Sequence, residues 1–221
     1  MSIGILGKKV GMTRIFDESG TAVAVTVIEA EPNEVTQIKT VEKEGYQAVQ
    51  LSTGTVKAKN TTKPMQGHYA KAGVSNKHKS IEFRVNGEAL PEVGTAFGVD
   101  VFKEGQMVDI IGLSKGRGFQ GVVHRYNFAG QPDTHGSMMH RRTGAVAAGS
   151  TPGRLWKNQK MPGHMGNRKV TVQNLKVMQV RGEDRVILVK GAIPGAKGSY
   201  VVVRDAIKGQ PAANTANQGG K

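Results

Sequence analysis

Short runs rich in β-branched residues recur along most of this chain, either alternating with polar positions or wholly apolar. Ala22–Glu29 (AVAVTVIE) sets the pattern, and residues 34–41, 46–53, 80–85, 97–102 and 107–111 repeat it. Glu18-Ser-Gly, Glu31-Pro-Asn, Glu44-Gly and Asn86-Gly fall between runs and supply turn chemistry. The pattern returns at 170–180, at 185–190 after a Gly182-Glu-Asp turn, and at 199–204 (SYVVVR). Val186-Ile-Leu-Val and Val201-Val-Val are unbroken apolar runs, which predicts strands covered on both faces. Residues 61–73, bearing Lys63, His68 and Lys71, fit either a short helix or an irregular loop. Strand after strand at this spacing predicts a mainly β body, a small closed barrel or a sandwich. No internal repeat is evident. Residues 209–221 (GQPAANTANQGGK) are small and polar and are expected to be a disordered tail.

Between the two sets of strands the pattern fails. From about Phe128 to 169 the apolar residues keep no period of two or 3.6, so no face is offered for burial. Charge collects in the same place. The chain of 221 residues has 31 Lys+Arg against 17 Asp+Glu, a net +14. Residues 115–170 hold ten of those bases, Lys115, Arg117, Arg125, Arg141, Arg142, Arg154, Lys157, Lys160, Arg168 and Lys169, and one acid, Asp133. They therefore carry +9, and the other 165 residues +5. Ten of the 30 Gly lie in this window as well. Such a segment loses conformational entropy on ordering with no core of its own to offset it, so it needs an anionic partner to take shape. Its internal position makes it a long excursion from a folded body, and long loops of this kind are functional or disordered. Three segments result: a discontinuous β domain (1–114 with 171–208), a basic Gly-rich extension (115–170) with a short helix at its root, and the tail (209–221).

Other classes are disfavoured. No stretch approaches the ~20 apolar residues of a membrane span. Near Met1 the charges follow a short apolar patch instead of preceding it, unlike a secretory signal. With no Cys there is no disulfide framework and no thiolate metal site. Gly116-Arg-Gly-Phe-Gln-Gly121 fits G-x-G-x-x-G after a predicted strand and before a plausible helix at 119–126, so a dinucleotide-dependent oxidoreductase is the alternative from another class. Against it stand the lack of βαβ alternation, the lack of an acid some 20 residues on, and the flanking Lys115 and Arg117. His124, Asp133, His135, His140 and His164 lack metal-ligand spacing, and Asp133, His135 and Ser137 are neighbours in sequence without a triad's geometry. No cofactor or metal is expected. Imidazoles in a basic loop more often bond phosphate and ribose or stack on bases, which makes His135 and His140 RNA-binding candidates. Met138, Met139, Met161 and Met165 suit an adaptable interface. Trp156, between Arg154 and Lys157, is a candidate for stacking on a base, and Phe119 is expected in a core at the extension's root.

Phe102, Asp109, Gly112, Ser114, Gly116-Arg117-Gly118, Gly121 and Arg125 match throughout the signature of the universal L-three family of large-subunit ribosomal proteins, which this chain resembles. The opening Gly4-Ile-Leu-Gly-Lys-Lys-Val-Gly-Met-Thr-Arg-Ile-Phe16 is similar to that family's N-terminus. So are Thr134-His-Gly136, Thr151-Pro-Gly153, Lys160-Met161, Gly166-Asn167 and Val189-Lys-Gly-Ala-Ile-Pro-Gly195. The likeness runs from about residue 2 to 208, and the compact middle looks bacterial.

The resemblance implies a translation-type β-barrel on the surface of the large subunit, near the 3′ end of 23S rRNA. It implies early binding that nucleates subunit assembly, and a loop threading toward the peptidyl transferase centre. The expected role is structural, in the cytoplasmic ribosome, beside proteins L-fourteen and L-nineteen, with no membrane and no homo-oligomer. Lys8, Lys9 and Arg14 are candidates for docking the barrel. By position, the innermost part of the loop is near Gly144, Ala147, Gly149, Ser150 and Thr151, where small side chains suit close-packed RNA. Many bacterial members carry a glutamine before Thr-Pro-Gly, and some methylate it. Ser150 stands there in this chain, after Ala-Val-Ala-Ala-Gly, and has no amide to modify, so that modification is expected to be absent.

Overall fold

A computed structural model describes residues 3–85 and 90–208, so the expected disordered tail and the Asn86-Gly turn lie outside the described residues. The chain forms two compact units: Ser114–Arg168 is one, and the residues before and after it make the other.

In the larger unit six strands close a barrel in the order β1 (Ile5–Phe16), β12 (Tyr200–Asp205), β7 (Met107–Leu113), β10 (Lys169–Arg181), β11 (Val186–Lys190) and β2 (Ala22–Glu29). All the pairings around it are antiparallel. A second sheet runs β5 (Lys77–Arg84), β4 (Ala48–Thr55), β3 (Asn33–Lys39), β6 (Ala96–Phe97), also antiparallel. Ile5, Ile28, Val108, Ile110, Ile187, Val189, Val201 and Val203 share one buried cluster. Leu6 and Val202, one residue out of phase, belong instead to a cluster with Val35, Val49, Leu51 and Phe83 of the second sheet. Strand side chains alternate between faces, so these unbroken apolar runs serve two cores at once.

Strand β1 is not legible in the hydrophobic pattern. Its opening, Ile-Leu-Gly-Lys-Lys-Val-Gly, mixes Gly and Lys, both depleted in strands. Packing overrides that preference at Gly7, where a Cβ would lie 2.5 Å from Ile28 Cγ2. Three other expectations shift. Residues 34–41 end as a strand at Lys39 and pass into a short helix, α1 (Val41–Glu44), closed by Gly45 at φ 76°. Of 97–102, only Phe97 is in a strand. Gly98 breaks the run, Val99–Val101 make a 3-10 turn, and Val99 and Phe102 drop into the barrel's cluster. Within 61–73 lies a helix, α2 (Lys63–Lys71), with Pro in its first turn. Tyr69 docks it on the second sheet, buried with its hydroxyl 3.1 Å from Ser80 Oγ, and His68 Nε2 is 2.8 Å from Gln50 Oε1.

Asp109 is fully buried on β7 and knots three segments. Its Oδ1 accepts the Asn174 N–H (3.1 Å) at an irregularity in β10. Its Oδ2 accepts the Ile207 N–H (3.3 Å) and lies 3.7 Å from Arg204 Nη2 on β12.

The smaller unit is thinly structured. Strands β8 (Gly118–Gln120) and β9 (Gly163–Met165) pair, and one helical turn, α3 (Val122–Tyr126), follows β8. The helix expected at 119–126 starts late because 118–120 are taken by the ribbon. Between α3 and β9 the chain runs in turns and bends, and Val122 is the only buried residue of the 55 from Ser114 to Arg168.

Candidate nucleic-acid interface

The root of the arm is tied by its own groups. Arg117 N–H donates to Met165 O (2.8 Å) and Ser114 N–H to Arg168 O (2.9 Å), which closes the two ends of the unit on each other. Gly166 makes that closure possible: its φ is +77°, and a Cβ there would run into the Lys115 carbonyl oxygen. Arg125 is half-buried and committed within the protein, donating through Nη1 to Met161 O (2.6 Å) and lying 4.9 Å from the Tyr126 ring centroid. Lys160 Nζ is 5.7 Å from the same ring. Tyr126 thus sits among two cations at the root, an arrangement that no local sequence signal reveals.

The other arm cations face solvent. Lys115, Arg117, Arg141, Arg142, Arg154, Lys157, Lys160, Arg168 and Lys169 are all exposed. Among the described residues, no Lys or Arg of the arm has a carboxylate within ion-pair distance. Asp133 is within 3.4 Å of His140 Nδ1, which is also 3.2 Å from Pro132 O. His135 is exposed with φ 57°. Arg117 Nη1 lies 3.1 Å from His124 Nε2. Unpaired cations at this density repel one another, and only bound anions relieve that repulsion.

Trp156 is 59% exposed, with Arg154 Cζ 5.9 Å from its ring, so a flat π surface stands beside a guanidinium. Phe119 corrects an expectation: it is 77% exposed, not part of a core. The reason is its place on β8, a two-stranded ribbon with no layer over that face. Met138, at 91% exposure, is likewise uncovered. Gly144, Ala147, Gly149, Ser150 and Thr151 are exposed; Gly144 lies in irregular chain and the other four in bends and turns, with Gly144 and Gly149 at φ 78° and 104°. The Gly116–Gly121 motif forms no phosphate cradle: Gly118 begins a strand, the Arg117 amide is spent on Met165, and the helix that follows has five residues.

On the larger unit the three basic candidates part company. Lys8 is exposed on β1. Arg14 is exposed, with Cζ 5.9 Å from the ring of Phe16, itself 66% exposed. Lys9 is half-buried, and its Nζ donates to Ile193 O (2.9 Å) and Gly195 O (3.2 Å), holding the loop between β11 and β12.

A closed antiparallel barrel interrupted by a coreless cationic insertion defines the class of protein. A family model described as Ribosomal protein L3 matches residues 79–186, a span that includes the whole insertion. The chain is 57% identical over 210 residues to the large ribosomal subunit protein uL3 of Akkermansia muciniphila, covering 94% of this chain and 100% of that protein. It is 51% identical over 211 residues to the uL3 of Thioalkalivibrio sulfidiphilus, covering 94% and 99%. With the uL3 of Francisella tularensis subsp. novicida it shares 51% identity over 209 residues, 94% of this chain and 100% of that one. The chain belongs to the uL3 family, whose members are structural proteins of the large ribosomal subunit and not enzymes.

Proposed function

We propose that this chain binds 23S rRNA directly, near its 3′ end, and helps nucleate assembly of the large subunit. The observation that carries the reading is the arm's unbalanced charge: nine of its ten bases are exposed, one acid accompanies them, and one residue between Ser114 and Arg168 is buried. Crowded phosphates where RNA helices converge would neutralise these cations and favour the compact RNA fold over looser ones. Arg141, Arg142 and Arg154 suit bidentate or bridging contacts with phosphate, and Lys115, Lys157 and Lys169 act as point charges. Trp156 stacks on a base, and His135 and His140 bond ribose or phosphate. Arg125 and Lys160 shape the root. On the barrel, Lys8 and Arg14 contact RNA while Lys9 steadies the loop beside them.

The arm's segment from Gly144 to Thr151 reaches toward the peptidyl transferase centre, where its small side chains let backbone approach RNA closely. Ser150 leaves no amide there for methylation. Proteins L-fourteen and L-nineteen are the expected neighbours. Family likeness is what supports these placements.

Titrating binding to large-subunit rRNA against salt tests the phosphate contacts. With about seven arm cations on phosphate and ~0.7–0.9 counterions released per contact, log K falls against log salt with a slope of roughly −5 to −6. A slope near −1 overturns the reading. Crosslinking followed by RNA sequencing identifies the nucleotides.

A further inference from the structure

The arm, with its single acid, is not the only place where positive charge gathers. From Gly45 to Ile81 the chain has 37 residues with six Lys and no Asp or Glu. Once this stretch and the arm window 115–170 are set aside, the remaining 128 residues hold 15 bases and 16 acids. All of the protein's net charge thus comes from two segments. In the second, Lys77 is buried and pairs with Glu34 at 2.8 Å. The other five, Lys57, Lys59, Lys63, Lys71 and Lys79, are exposed, and none has a carboxylate partner among the described residues.

Helix α2 gathers this charge. Gln66 Nε2 donates to Ala58 O (2.7 Å) and Thr61 O (2.8 Å), which holds the turn bearing Lys57 and Lys59 against the helix. At 3.6 residues per turn, Lys63, Gly67 and Lys71 fall on one stripe about 80° wide and about 12 Å long, with Ala70 beside it. Tyr69 and His68 face the sheet, so that stripe is the solvent face. Gly67 in its centre has no internal explanation. Its φ is not positive, and a Cβ there would meet nothing within 4 Å. Relative to Ala, a glycine in a helix interior gives up about 1 kcal/mol. A bare backbone flanked by two free ammonium groups fits a partner that comes close and carries negative charge on both sides.

We infer that the exposed face of α2, Lys63–Gly67–Lys71 with Lys57 and Lys59 alongside, is a second RNA-binding surface that seats the ribose-phosphate backbone of a double-helical segment. The inference rests on the reading that the chain's partner is rRNA. RNA is favoured over an acidic protein because the stripe is cationic at both ends and has no large apolar anchor along its centre. A wide, shallow RNA minor groove presents hydroxyls and two rows of phosphate to such a ridge, without sequence selectivity.

The test compares four full-length proteins on large-subunit rRNA and on a 20-base-pair RNA duplex: wild type, Lys63→Gln/Lys71→Gln, Gly67→Leu, and the arm variant Arg141→Gln/Arg142→Gln/Arg154→Gln/Lys157→Gln. The lysine variant is expected to make the salt slope shallower by about 1.4–1.8, two contacts at ~0.7–0.9 each. Gly67→Leu is expected to keep or raise Tm, since Leu is a good helix former, while binding both RNAs at least fivefold more weakly. A merely structural glycine would give the opposite pair of results. Unchanged binding in both α2 variants, with the arm variant losing its share, overturns the α2 surface and leaves the arm reading intact. The reverse pattern overturns the arm reading and leaves α2 standing. Lost incorporation into subunits with unchanged RNA affinity marks α2 as a protein contact and also overturns the inference.

Discussion

The barrel unit and the arm solve the same problem by opposite means. In the barrel, Ile5, Ile28, Val108, Ile110, Val177, Ile187, Val189 and Val203 reach zero exposure, and a buried acid on β7 finds partners on β10 and on and just beyond β12. In the arm, 55 residues bury one side chain, and the regular structure is a three-residue ribbon and one helical turn. The first is held by apolar surface removed from water, a force that acts within the chain. The second has exposed cations in place of a core, and under the proposed function rRNA phosphates would supply its cohesion. A single polypeptide therefore combines one part built around apolar cores with one that buries a single side chain.

Replacing 126–167 with a short Gly/Ser link puts that contrast at greatest risk. The shortened protein, which lacks Arg141, Arg142, Arg154, Lys157 and Lys160, is expected to keep one cooperative thermal transition while its rRNA salt slope becomes shallower by about 3.5–4.5, five contacts at ~0.7–0.9 each. Loss of cooperativity would mean that the arm is part of the core. Point changes sharpen the contrast. Ile110→Ala, at a fully buried position, is expected to cost about 3–4 kcal/mol in urea unfolding, whereas Met138→Ala, at 91% exposure, should stay within about 0.5 kcal/mol. Next comes Asp109→Ala, which strands the Asn174 and Ile207 amides and leaves Arg204 without its partner, for about 2–3 kcal/mol in the same assay. The smallest effect is on the exposed face of the second sheet. The hydrogen bond from Lys39 holds the Glu82 carboxyl below its ordinary value, with Tyr46 adding to it. A depressed acid stabilises the fold above its unfolded pKa, and that contribution fades as pH falls through the folded value. Glu82→Gln should therefore lower Tm slightly at pH 7 and not at all in strong acid; a Tm difference that persists there refutes the assignment.

Much of this fold is legible in the sequence itself. Ala22–Glu29 keeps its predicted bounds, and the uninterrupted runs at 186–189 and 201–203 do lie between two apolar clusters. These signals are local, since a strand's period is written in consecutive residues. What failed depends on partners far along the chain. Strand β1 gives no strand signal in its mix of Gly and Lys, and Gly7 is accounted for only by Ile28 packed against it. The separate second sheet arises from pairings such as Glu34 with Ser52 and Asn33 with Phe97, which no window reports. The candidate site divides the same way. That Lys115, Arg141 and Lys157 are exposed follows from composition, but the inward commitments of Lys9 and Arg125 go to the carbonyls of Ile193, Gly195 and Met161, and every residue has a carbonyl. The exposure of Phe119 is likewise invisible in the sequence, because it depends on whether another layer covers β8.

The pairing of Leu113 with Lys169 on neighbouring antiparallel strands means that, to the barrel, the whole excursion is a hairpin connection. Closure entropy grows only with the logarithm of length, so 55 residues in place of a four-residue turn cost roughly 2 kcal/mol. Such a scaffold tolerates transplantation: an unrelated segment whose ends can meet at those two strands could be spliced in without redesigning the staves.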